Sequence, residues 1–297
     1  MRVQRFTDIE EFWTAVGPLL LADPVRHTVA LTVLRRARVA PDTDWAADGL
    51  LLAVRGDDNR VLGAAFRTPP WPTGISGLTP ELVPVIVDFL LDGGLAPGGA
   101  TGPRDVVDRF ADLWHDRTGD DVTLLMDQRL YRLGTLEPPA VPGSVRVITK
   151  ADLAGGPPDE VTARLHLLAR WRADFLAEAV SHVDEPDQAA IINRAIVSGS
   201  GYAIWTDDGI PRAMSAASAP LGGMSRIGPV YTPPEHRRRG YGAAVTAGVA
   251  RWAMEQEAEN VLLFTDLTNP TSNSIYQSIG FRPLLDAAEY RFDTAHD

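Results

Sequence analysis

Val261-Leu262-Leu263-Phe264 is an unbroken apolar run of strand length, which predicts a strand covered on both faces. Before it, Ala243 to Glu259 places Val245, Val249, Trp252 and Ala253 at i, i+4, i+7 and i+8, the spacing of one helical face, with polar residues expected opposite. Earlier still, Met224 to Thr232 reads as a strand interrupted by Gly228-Pro229. Proline has no N–H to give to a ladder, so that strand should be distorted there. After the apolar run, Asn269 can cap a new helix, with Pro270 as its first residue and Gly280 just past its end. Strand, helix, strand, helix in that order predicts parallel pairing of the two strands.

The same kind of pattern occurs twice. Gly49 to Pro70 and Gly201 to Pro220 are each a β-rich run, a polar turn and a second run, with Gly56-Asp57-Asp58-Asn59 and Asp207-Asp208-Gly209 as hairpin turns. Each follows a short strand containing Arg-Val (Arg2-Val3, Arg146-Val147) and a helical region rich in Leu, Ala and Trp. Between the copies, Leu136 to Gly143 holds three prolines and a glycine, which suits an extended connector. Two similar domains are expected, 1–137 and 138–297.

Composition narrows the chemistry. The 297 residues are 45% hydrophobic and 23% charged, as in a globular chain, with a net charge of −11 and a pI of about 5.0. That field disfavours nucleic acid and anionic membrane as partners. There is no cysteine, which excludes disulfides, thiolate metal sites and a cysteinyl intermediate. The opening MRVQRFTDIEEFW lacks an apolar signal core, and no run approaches the ~20 apolar residues of a membrane span, so a cytoplasmic protein is expected.

Against this acidic background, Arg237-Arg238-Arg239-Gly240-Tyr241-Gly242 crowds three cations onto a predicted helix N-terminus. The helix end repels cations and favours anions, and the glycines let backbone N–H groups meet a ligand, so a multiply charged small anion is expected. A solvated arginine surface is the alternative reading of the same residues. On the last helix Asn269, Asn273 and Tyr276 share one face at i, i+4 and i+7.

Two spaced motifs in the right order, Arg-x-x-Gly-x-Gly (Arg237, Gly240, Gly242) after a strand ending Val230-Tyr231-Thr232, and Asn-x6-Tyr-x3-Gly-Phe (Asn269, Tyr276, Gly280, Phe281), resemble those of the GNAT superfamily of acetyl-CoA-dependent N-acetyltransferases. The resemblance covers about Ser144 to Phe292, and the first half only through repeated architecture. It implies an α/β (α+β) fold of two tandem GNAT-like domains, each a mixed, mostly antiparallel sheet flanked by helices. It also implies acetyl-CoA as the acetyl donor, with no metal. The backbone of Val230, Tyr231 and Thr232 would take the pantetheine arm. Arg237, Arg238, Arg239, Gly240, Tyr241, Gly242 and Ala243 would take the pyrophosphate, with Asn269 and Asn273 as further cofactor contacts. In the family the strand corresponding to Met224–Thr232 splays from its neighbour and the acetyl group lies in the gap.

The resemblance makes Tyr276 the general acid toward the coenzyme A thiolate, with direct transfer to a primary amine in a ternary complex. Many relatives carry a glutamate base on the splayed strand, but Met224 to Thr232 contains no acid. Asp266 is the first candidate base, with Glu178 and His182 behind it. Trp171, Phe175 and Glu178 lie where the family places its substrate-facing helices. Each has a structural alternative: Asn269 as a cap, Asp266 as a turn residue, Tyr276 as a core tyrosine, and the acids near Trp171 as a solvated face.

The first copy departs from the pattern. At the position of the cofactor loop it reads Thr73 to Leu82 without arginine and with Glu81, and Leu125 to Tyr131 lacks the Asn and Tyr pattern, so no cofactor site is expected there. Tandem members with one degenerate copy, such as mycothiol synthase, are similarly organised, though no motif ties the substrate to mycothiol. The acceptor is expected to be a small-molecule amine. A non-catalytic acetyl-CoA sensor is the alternative, and a homodimer is compatible with the sequence, which does not fix the oligomeric state.

Overall fold

The computed structural model describes residues 1–39, 49–179 and 187–294. The chain divides into two compact units. Unit 1 comprises Met1–Leu130, Asp266–Thr268 and Leu285–Asp297, and unit 2 comprises Tyr131–Thr265 and Asn269–Leu284. The expected boundary at 137/138 lies in the connector, whereas the division falls between Leu130 and Tyr131, and the last stretch of chain goes to unit 1.

In unit 1 the order is β1 (Arg2–Arg5), α1 (Ile9–Ala22), α2 (Thr28–Val39), β2 (Leu50–Arg55), β3 (Val61–Arg67), β4 (Thr73–Gly77), α3 (Val83–Asp92), β5 (Ala100–Pro103), α4 (Arg104–Thr118) and β6 (Asp121–Leu133), whose last three residues are counted in unit 2. β1, β2, β3 and β4 pair antiparallel in sequence, and β4 pairs parallel with β5. The final strand of the chain, β12 (Phe281–Asp293), runs antiparallel to β5 from Ala287 opposite Pro103 to Tyr290 opposite Ala100. This pairing places the tail in unit 1. β2 reads LLLAVR, and its first five residues are buried, as a strand covered on both faces requires. Its core joins Leu52, Val54, Ile75, Ile86 and Phe110, with Phe110, Trp114 and Phe292 stacked at centroid distances of 5.7–6.2 Å.

Unit 2 repeats the order with one added short helix: β7 (Ser144–Ile148), α5 (Lys150–Gly155), α6 (Pro158–Ala179), α7 (Gln188–Val197), β8 (Gly201–Asp207), β9 (Ile210–Ala217), β10 (Met224–Tyr231), α8 (Tyr241–Glu255), β11 (Asn260–Asp266) and α9 (Pro270–Ser278), then the first four residues of β12. β7, β8, β9 and β10 pair antiparallel in sequence, and β10 pairs parallel with β11, as the strand–helix–strand order predicts. The β8–β9 hairpin turns at Asp208 and Gly209, with φ of 49° and 72°, the two positive values of a type I′ turn.

Two expectations about α8 need correction. It stops at Glu255 rather than Glu259, because Glu257 turns left-handed (φ 67°) and the Ala258 N–H bonds back to Ala253. Its far face is not polar over the first turns: Ala243 to Ala250 are all buried, and a Cβ on Gly248 would lie 2.9 Å from Val145. Small residues let this helix pack closely on its neighbours. Leu168, Trp171 and Ile196 form a second cluster in unit 2 with Ile148, Met214 and Tyr231.

In unit 1, His27 is only 7% exposed, and burial pushes its pKa down to about 4. Its Nδ1 lies 3.3 Å from Ser76 Oγ. Above the unfolded value of ~6.5 both states are neutral and the folded state keeps its full stability. As pH falls from there toward 4 the unfolded chain takes the proton first and stability drops. The loss should total about 3 kcal/mol. Urea unfolding across pH 7 to 4 should show this slope, and His27→Gln should flatten it; equal slopes would remove His27 as the cause.

Candidate functional site

The site grows from the interruption in β10. Its parallel rungs with β11 run from Met224 opposite Asn260 to Ile227 opposite Leu263 and, among the described residues, end there. Its pairing with β9 shifts register between Ile227 and Val230, then resumes with Val230 opposite Ser215 and Tyr231 opposite Met214. Pro229 supplies no donor and Gly228 takes φ 151°, so the bulge falls on the expected dipeptide. Past it, β10 holds to β9 without further rungs to β11.

Beyond β10 the chain makes a short 3-10 turn, Pro234–His236, and enters α8 through Gly240 at φ 80°. An added Cβ at Gly240 would lie 2.8 Å from Val141 Cγ2, so the protein's own backbone requires that glycine. Gly242 differs: its Cβ would meet only Thr232 Oγ1 at 3.4 Å, an ordinary contact. Among the described residues no backbone atom or packed side chain requires a glycine there. No side chain caps α8, and the first backbone bond into the helix is from Ala244 N–H to Gly240 O at 3.0 Å. The amides of Tyr241, Gly242 and Ala243 thus have no acceptor among the described residues, and they carry the positive end of the helix dipole.

The three arginines divide. Arg238 and Arg239 are exposed and have no carboxylate partner among the described residues; Arg239 interacts with the Tyr241 hydroxyl. Arg237 is engaged: its Nε donates to Thr232 O at 2.8 Å, and its Nη2 donates to Glu178 Oε2 at 2.6 Å and Oε1 at 2.9 Å. Tyr241, expected as a cofactor contact, has a buried ring and an internally bound hydroxyl that donates to Asp207 Oδ2 at 2.6 Å. Sequence reading missed Arg212, whose guanidinium sits 6.0 Å from the Tyr241 ring centroid, with Nη1 3.4 Å from His236 Nδ1. A lone arginine on a strand belongs to no motif.

On α9, Asn269 caps the helix by accepting from Ser272 N–H at 3.0 Å, with Pro270 first and Gly280 (φ 104°) past the end, as expected. The Asn273 amide is committed within the chain, donating to Asn269 O at 2.8 Å and accepting from the Tyr131 hydroxyl at 3.1 Å. Tyr131, another residue no motif signals, also receives Gln277 Nε2 at 3.2 Å. Tyr276 is different. Its ring is partly buried edge-on against Phe281 at 6.3 Å, and its hydroxyl has no hydrogen-bond partner among the described residues. The hydroxyls of Tyr131, Tyr231, Tyr241 and Tyr290 all have one. Burial pushes the Tyr276 phenol up to about 12, which keeps it protonated.

The remaining candidates are engaged elsewhere. Asp266 ends β11 and its Oδ1 accepts from Thr268 N–H and Oγ1, both at 2.7 Å, the bonding of a turn residue. Trp171 is core, packed among Ile148, Ile192 and Tyr231, while Phe175 is partly buried against the same cluster. Glu178 is held by Arg237. His182 lies outside the described residues. Among the described residues no group of His, Cys, Asp or Glu is placed to hold a metal ion, and no helix is long and apolar enough to cross a membrane.

Residues 212–292, which span the bulged strand, the arginine loop and α9, match the family model described as FR47-like protein. No curated protein matches the chain. Among solved structures, a GCN5-related N-acetyltransferase from Sphaerobacter thermophilus superposes with a TM-score of 0.57 at 13% identity, covering 99% of this chain and 96% of that one. A GCN5-related N-acetyltransferase from Kribbella flavida gives 0.51 at 19%, covering 80% and 89%. A tandem GNAT protein from the clavulanic acid biosynthesis pathway, solved without AcCoA, gives 0.54 at 13%, covering 100% and 99%. The chain has the tandem GNAT fold.

If Asn269 acts as a cap, Asn269→Ala should cost about 1 kcal/mol in chemical denaturation, and Asn269→Asp should retain most of the stability. An alanine variant as stable as the parent would show that the cap contributes nothing to stability.

Proposed function

From a GNAT fold with an FR47-like segment at 212–292, we propose that unit 2 is an acetyl-CoA-dependent N-acetyltransferase that moves an acetyl group directly to a primary amine of a small molecule. The observation that carries this reading is the start of α8, where among the described residues the amides of Tyr241, Gly242 and Ala243 have no acceptor, Gly242 is not required by packing, and two arginines have no carboxylate partner. Such a start suits a diphosphate, which accepts from a row of N–H groups and from guanidiniums without a metal.

Acetyl-CoA would supply the acetyl group as a thioester. Arg238, Arg239 and the three amides would hold its diphosphate, and the backbone of Val230 to Thr232, freed from β11 by the bulge, would take the pantetheine arm. The Tyr276 hydroxyl would give its proton to the departing sulfur. A phenol held near 12 is protonated at neutral pH; giving its proton to a thiolate of ordinary pKa ~8.5 is uphill, so the transfer is coupled to C–S cleavage and completed when the phenolate takes a proton from the attacking nitrogen. With no cysteine in the chain, the amine attacks the thioester itself while both substrates are bound. Unit 1 has Thr79 and Glu81 at the turn before α3 and takes no part in this chemistry.

Gly242→Leu should leave the fold intact by circular dichroism and abolish calorimetric binding of acetyl-CoA; normal affinity would remove α8 as the diphosphate site. Tyr276→Phe should bind acetyl-CoA normally and release free thiol, with an accepted amine, about 10²-fold more slowly than the parent. An unchanged rate would assign the proton to water. Tight binding with no thiol released across a broad amine panel would make the protein an acetyl-CoA sensor.

A further inference from the structure

Arg237 opens the Arg-x-x-Gly-x-Gly sequence, yet its charge is already neutralised within unit 2. Glu178, one residue from the end of α6, meets it with both carboxylate oxygens at 2.6 and 2.9 Å. The Arg237 guanidinium also lies 5.8 Å from the centroid of the Tyr231 ring and donates from Nε to Thr232 O, so it is held beside the strand end assigned to the pantetheine arm. Both oxygens share the one nitrogen Nη2, a contact that a phosphate oxygen pair can equally make.

Resting on the acetyl-CoA reading above, we propose that Glu178 is a resident counter-anion of Arg237 that the cofactor's diphosphate displaces. Two observations favour exchange over a permanent strut. The pair is open to solvent, with side chains 42% and 46% exposed, so it is screened and weakly held. Arg237 also adjoins the α8 start, where the unpaired amides, Arg238 and Arg239 favour an anion of higher charge than a carboxylate. Glu178 keeps a donor after release, since the Tyr231 hydroxyl lies 3.4 Å from its Oε1. The family motif's first arginine is therefore a contact that the carboxylate surrenders, and every cofactor molecule bound must first compete with Glu178.

The test is calorimetric titration of coenzyme A into the full chain at low ionic strength, for the parent, Glu178→Gln, Arg237→Gln and the double variant. Removing the competitor should tighten binding about two- to fivefold, the range expected for release of an exposed pair. Arg237→Gln should weaken binding, and in that background Glu178→Gln should have no further effect. Glu178→Ala should repeat the glutamine result, guarding against a new amide contact. Unchanged or weaker binding by both Glu178 variants, with the parent still binding coenzyme A, would overturn the exchange and leave Glu178 as a strut. No binding by the parent or any variant would overturn the acetyl-CoA reading itself.

Discussion

One missing donor organises unit 2. Pro229 has no N–H, so β10 cannot continue its ladder on both sides, and it keeps β9 while its rungs to β11 stop at Ile227. A strand with paired neighbours on both edges offers no backbone to a ligand, whereas one released along an edge does. The release comes two residues before Tyr231, and the loop that follows delivers the uncapped start of α8. Freed strand edge and bare helix amides are thus consecutive stretches of one segment, and their nearness follows from chain connectivity.

Legibility from sequence tracked how local each signal was. The bulge at Gly228-Pro229, the parallel β10–β11 pair, the Asn269 cap with Pro270 and Gly280, and the Asp208-Gly209 hairpin all depend on residues within a few positions of one another, and all are present. The doubled order of elements was readable for the same reason. What escaped depends on contacts distant in sequence. The antiparallel pairing of Ala287–Tyr290 with β5 joins residues nearly two hundred positions apart, and no local pattern announces it. The burial of α8 on its far side is likewise set by β7, against which Gly248 packs.

The candidate site shows the same division. Backbone features such as the glycines and the helix start were marked by motif, but the state of each side chain was not. Arg237 and Glu178, read separately as a cofactor contact and a substrate-side acid, form one ion pair across 59 residues. Trp171 packs in the core cluster with Ile148, Ile192 and Tyr231, and a helix with mixed residues does not reveal which aromatic faces inward until its neighbours are known. Asp266, at the end of a buried strand, uses its carboxylate oxygen on its own turn.

Under the proposed acetyl transfer, proton traffic gives the remaining constraint. Forming an amide from an ammonium and a thioester releases one proton net, and the reaction needs a donor for sulfur and an acceptor for nitrogen. In that reading Tyr276 is the donor: burial raises its pKa, which secures the proton before reaction, makes the phenol a weaker acid than an ordinary tyrosine, and makes the phenolate a strong acceptor afterwards. The phenolate left when sulfur is protonated can recover a proton from the nitrogen that has just attacked. One residue can then serve both transfers within the collapse of the tetrahedral adduct, and only the first deprotonation of the incoming ammonium remains. That step precedes bond formation and sets no geometric demand at the reacting carbon, which is consistent with a strand β10 that carries no acid from Met224 to Thr232.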